Sequence, residues 1–189
     1  MQPVRKVHTL GFALAVALGG FSVAHADPAP TAQAASGAAT QSGKSTLNAT
    51  ERQMLTRIAQ ANMAEVAAAE LAKTKSSDPD VLKFADQMIK DHTQGLKDVS
   101  EVASRTGVTM PKDAGRAHAK TLKELNGLSG KKFDQQYMAK VGVEAHQETK
   151  RLVENLRQSD NAELKALGEK MMPVIDSHLK MAQERKPAK

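Results

Sequence analysis

Leu164, Leu167, Met171, Val174, His178 and Met181 step by three, four, three, four and three. Only a helix turns such a spacing into one continuous face, and a helix with one apolar face must bury it against something. Three more segments repeat the pattern. Residues 51–75 carry Leu55, Ile58, Asn62, Glu65, Ala69 and Ala72, with two polar residues in mid-stripe. A second segment reaches about Thr106 through Val81, Ala85, Met88, His92, Leu96, Val99 and Ala103. A third, 131–158, carries Phe133, Tyr137, Val141, Leu152 and Leu156. Aromatics make up only 3% of the chain and Trp is absent, so Ala, Leu, Val and Met must build the core. That composition favours helices over strands, which want β-branched and aromatic residues.

The breaks between the stripes set the topology. In "SSDPD", Asp78 suits a helix N-cap, Pro79 the first turn and Asp80 the positive end of the dipole. Gly107 suits a left-handed helix end, and Pro111 prevents continuation. A short helix near 113–126 carries Leu122 and Leu125 before "NGLSG" breaks it, and Asp160 is the expected cap of the last helix, which reaches about Arg185 with Pro173 inside it. Two links are short and make antiparallel hairpins. The middle link is long enough to cross the bundle and carries its own short helix. The expectation is an all-α fold over 50–186, a ferritin-like four-helix bundle of two antiparallel hairpins joined by a long crossover.

The first 49 residues read differently. Arg5 and Lys6 precede "LGFALAVALGGFSVA" and then "AHA" at 24–26, the form of a cleaved signal peptide over 1–26. Residues 27–49 are small, polar and Pro/Gly-containing, a flexible linker. "GKS" at 43–45 lacks the glycine spacing and the preceding strand of a phosphate-binding loop. The expected location is the bacterial periplasm or outside, with no integral membrane segment after processing. Cysteine is absent, which excludes disulfides, thiol catalysis and thiolate metal sites. Loss of Arg5 and Lys6 lowers the net charge from +6 to +4. No basic patch is interleaved with aromatics, which argues against nucleic acid as a partner. The sequence leaves room for an envelope protein partner and fixes no oligomeric state.

Ionisable residues recur near the middle of each long helix: Glu65, Asp91 with His92, Glu144, His146 and Glu148, and Asp176 with His178. Counted from the short turns, Glu65 and His92 differ in depth by roughly 5 Å, and His146 and His178 by roughly 6 Å, so all four suit one level of the bundle. Glu65, His92 and His178 form the core of a candidate metal site, with His146 and Asp91 as further members and Asp91 or Asp176 orienting the imidazoles. Such a sulfur-free set suits a divalent transition metal such as zinc, iron or copper. His146 fits least well: on a regular wheel it lies about 120° from the centre of its helix's apolar stripe, and Glu148 lies nearer. The competing reading is a buried hydrogen-bonded network with no ion, in a non-catalytic envelope protein. The Glu-x-x-His signature of di-iron bundles is missing, because Ile89, Val143 and Ile175 stand three residues before the histidines. There is no Gly-x-Ser-x-Gly, and the methionines are spaced as core filler. Catalytic residues are therefore not assigned, and the balance is against an enzyme.

The phrases "VLKFADQMIKDHTQ" (81–94), "GVTMP" (107–111), "LSGKKFDQQYM" (128–138), "AHQETKRLVE" (145–154) and "LKALGEKMMPVIDSHLKMA" (164–182) together resemble the exported bacterial family called domain of unknown function 4142. The resemblance covers roughly residues 50–184. It implies a ferritin-like bundle, an envelope location and no settled activity; members often carry an outer-membrane label. It also implies that Glu65, the pair Asp91 and His92, His146, and Pro173 with His178 occupy the family's recurrent positions. The chain departs at Ala145, where an Asp often precedes the histidine.

Overall fold

The computed structural model describes residues 46–185, and all regular structure among them is helical. The helices are α1 (Ala49–Lys75), α2 (Pro79–Thr106), α3 (Gly115–Asn126), α4 (Gly130–Tyr137), a π-helical segment (Met138–Ala145), α5 (His146–Arg157) and α6 (Ala162–Glu184). The segments α4, π and α5 run on as one rod, the third long helix expected from the sequence. The signal peptide and most of the linker lie outside the described residues. The linker's last residues belong to the fold: Leu47 is buried, and Asn48 caps α1 in a reciprocal box with Glu51. "NATE" at 48–51 was the signal for that earlier start.

Asp78 accepts from the backbone N–H groups of Asp80 and Val81 at 2.9 and 3.3 Å, with Pro79 in the first turn. Gly107 adopts the left-handed φ of +73° that ends α2. The cap of α6 is Asn161 rather than Asp160; its side chain accepts from Glu163 and Leu164. Pro173 lies inside α6 and the helix continues through it. α1 packs mainly on α2, and α5 on α6, while α2 and α6 join the two pairs. α3 rests on α1 within the crossover.

The core is divided. One apolar cluster holds Leu55, Ile58, Val99, Val102, Val153, Leu156, Leu164 and Leu167. The other holds Ala69, Val81, Phe84, Met88, Leu125, Phe133, Tyr137 and Val141. Small side chains on α1, namely Ala68, Ala69 and Ala72, line its part of the second cluster. Met88, Met138, Met171 and Met172 are buried as packing residues. Along the helices, a polar layer falls between the two clusters: Asn62 and Glu65 on α1, His92 on α2, His146 on α5 and His178 on α6, all buried.

Candidate metal centre

The position of His146 is the largest departure from the sequence expectation. It is fully buried, whereas the Glu148 side chain is 57% exposed and pairs with Arg57 at 2.9 Å. The π segment is the cause. Asp134, Met138, Gly142 and His146 are all buried and four residues apart. On a regular α-helix that run drifts by about 120°. Wider π turns carry an extra residue and absorb the drift, so His146 arrives on the inward face. Gly142 permits the close packing there, because a Cβ on it would stand 2.8 Å from that of Ala182 on α6.

Each of the three histidines uses one ring nitrogen to reach an acceptor in the protein. His92 Nδ1 lies 3.1 Å from Asn62 Oδ1 and 2.9 Å from Glu65 Oε2. The amide oxygen accepts from the ring N–H, and the carboxylate lies against the same nitrogen as its charge partner, with neither Glu65 oxygen in full hydrogen-bond geometry. Asn62 Nδ2 donates to Ile58 O at 2.8 Å, which turns its oxygen toward His92. His146 Nδ1 lies 2.8 Å from Val141 O, a backbone carbonyl in the π segment. His178 Nε2 lies 2.9 Å from Asp91 Oδ2, which also accepts from Gln87 at 2.6 Å.

Carbonyls, carboxylates and amide oxygens accept and do not donate. Each of these outer ring nitrogens therefore carries the hydrogen. In the neutral ring the other nitrogen then bears a lone pair: His92 Nε2, His146 Nε2 and His178 Nδ1. Those three atoms converge. His178 Nδ1 is 3.2 Å from both His146 Nε2 and His92 Nε2. The three histidines together can present nitrogens within 4.8 Å of one another. Three lone pairs at that range repel unless something positive lies between them.

The electrostatics fit a site built for charge. Burial alone would raise Glu65, but the neighbouring imidazoles, His92 first, hold its pKa down at about 2. Burial works against a charged His92, yet Glu65 outweighs it and His92 is raised. His146 is lowered by burial and by its neighbour His92, despite Glu65. His178 falls to about 4, through burial and then the charges of His92 and His146. Burial and the Glu65 charge raise the Tyr137 hydroxyl.

Of the sequence candidates, the fold brings Glu65, Asp91, His92, His146 and His178 together, with the three histidines converging and the two carboxylates behind them. Glu65 and Asp91 face outer ring nitrogens, not the point of convergence. Asp176 lies away from them and pairs with Lys150 at 2.6 Å, and Glu144 pairs with Lys140 at 2.9 Å. Asn62 was read from the sequence only as an interruption of a stripe. Nothing in its spacing marked it as the acceptor for one ring nitrogen of His92.

A family model described as Domain of unknown function (DUF4142) matches residues 36–184. The chain belongs to this family. The match takes in every residue of the polar layer of this DUF4142 domain. Neither a curated protein nor a solved structure matches the chain. Among the described residues, no helix is long and apolar enough to cross a membrane.

Proposed function

We propose that this domain is a small metal-binding bundle of the bacterial envelope in which His92 Nε2, His146 Nε2 and His178 Nδ1 hold one divalent transition ion. The observation that carries the reading is the commitment of all three outer nitrogens to acceptors, which leaves three lone pairs directed at one another. A tetrahedral ion with bonds of about 2.0 Å has ligand atoms about 3.3 Å apart. The two 3.2 Å separations from His178 Nδ1 suit that geometry, and all three nitrogens lie within 4.8 Å of one another. Glu65, Asn62, Asp91 and the Val141 carbonyl then act as orienting partners, the usual company of metal-bound imidazoles. Charge supports the same reading: a dication at the convergent nitrogens balances the nearby Glu65 and Asp91 carboxylates. Nitrogen-only ligation suits zinc, copper, iron or nickel. We include in the proposal the ferritin-like order of hairpin, crossover and hairpin, and export with cleavage before Asp27. Intact mass of the exported protein checks the cleavage; a chain still beginning at Met1 overturns it.

A second reading has its own support in the raised His92. A proton on His92 Nε2 would donate to His178 Nδ1 and make the layer a purely structural network. It bridges one of the two 3.2 Å contacts and leaves His146 Nε2 facing the same lone pair. X-ray absorption on zinc-loaded, tag-free protein separates the two. The metal reading expects three imidazole nitrogens in the first shell and no sulfur. Failure to load zinc, iron or copper supports the proton network instead.

A further inference from the structure

The converging nitrogens are enclosed, so an ion needs a way in. Among the described residues, two cavities approach the polar layer. The larger, about 430 Å³, lies among α1, α3 and the π segment; it touches Glu65 but none of the three imidazoles. The smaller, about 100 Å³, opens in the seam between α2 and α6 and is walled by Asn62, Asp91, His92, Gly95, Asp98 and Met171, among others. It alone of the two reaches a ring of the triad.

We infer, resting on the metal-centre reading, that the α2–α6 seam is the path by which a divalent cation reaches and leaves the site, with Lys170 as its removable plug. Asp98 and Asp91 both line the seam and give it negative charge, with side chains 11% and 21% exposed. The Asp98 side chain is 11% exposed, and it is met by the Lys170 ammonium at 2.8 Å and by the Gln94 amide at 2.9 Å. Lys170 itself is 61% exposed. A long, solvated ammonium is a weakly held partner and swings away readily. When it leaves, an inner carboxylate faces the incoming cation in a narrow, poorly screened space, where charge focuses ions most strongly. Gly95 keeps this wall open in a second way. A Cβ there would lie 2.5 Å from Asn62 Oδ1, so any side chain would displace the amide that orients His92. The seam's carboxylates are more exposed than the imidazoles behind them, which lets the ion exchange water for protein oxygen before it meets nitrogen.

The test is stopped-flow loading of metal-free protein with cobalt(II) alone, followed through its visible bands, and the reverse loss to excess chelator. Lys170→Met should load roughly tenfold faster at low salt with unchanged stoichiometry. Val174→Phe, on the seam wall, should slow both loading and loss at least tenfold. Thr121→Phe, on the wall of the larger cavity, should change neither. Rates within twofold of wild type for both seam variants overturn the inference, as does slowing by Thr121→Phe. Because Lys170 is exposed, its variant keeps the test valid if Val174→Phe folds poorly. One cobalt per chain with the wrong pattern of rates rejects the path alone; no cobalt in the wild type rejects the metal reading and the path together.

Discussion

The apolar clusters and the polar layer between them are equally buried, yet they hold their places by different physics. In the cluster around Leu156 and Leu164, every contact is non-directional and any well-packed side chain of similar volume serves. In the layer, Asn62, His92, His146 and His178 take their positions from directed bonds, each ring orientation depends on the acceptor behind it, and Glu65 acts by its charge. The clusters should respond to lost volume and ignore solution chemistry. The layer should respond to metal, protons and charge.

Leu156→Ala gives the largest expected effect on the apolar side, about 2–5 kcal/mol of stability from lost burial and the cavity left behind. Urea titration should find the same loss with and without chelator. A chelator-dependent loss would mean that the two regions are not separate. On the polar side, chelator added to zinc-loaded wild type should remove about 2.7 kcal/mol when free metal had stood at 100 times the dissociation constant. An unchanged Tm would break the comparison.

Metal-free protein should show the layer's proton sensitivity. His178 has a folded pKa of about 4 against an ordinary 6.5, so the unfolded chain binds the proton more tightly. The resulting stability is complete above pH 6.5 and is lost as the pH falls toward 4. Between pH 7 and 5 the loss should be on the order of 1–2 kcal/mol, with His146 adding in the same direction and the raised His92 opposing it. Greater stability at pH 5 than at pH 7 would show that His92 governs the layer instead. Glu65→Gln sharpens the contrast at smaller cost. It should weaken metal binding tenfold to a hundredfold through the loosened His92. The metal-free fold should lose Tm, because the buried pair of ionised Glu65 with the raised His92 is broken. Calorimetric titration with zinc and a melting curve check the two halves.

The regular helices were legible in the sequence because their stripes keep one period. His92 and His178 lie on straight runs of α2 and α6, and the three-and-four spacing placed both on the inner face. His146 was misplaced because a wheel drawn at 100° per residue carries no π turns. The signal was present as the repeated step of four from Asp134 to His146, with Gly142 in mid-helix. Asn62 and the split of the five candidates into converging and orienting groups were not legible, since they depend on which ring nitrogen faces which acceptor. The cap at Asn161 was a one-residue choice between neighbouring cap formers.

The most direct test compares wild type with His146→Ala, the ligand that only the π segment brings inward. Tag-free proteins are loaded with zinc, passed through gel filtration and assayed for bound metal, with circular dichroism to confirm that both remain helical. The account predicts one zinc per wild-type chain and less than a tenth of that in the variant. Equal zinc in the two proteins, or none in the wild type, would contradict it.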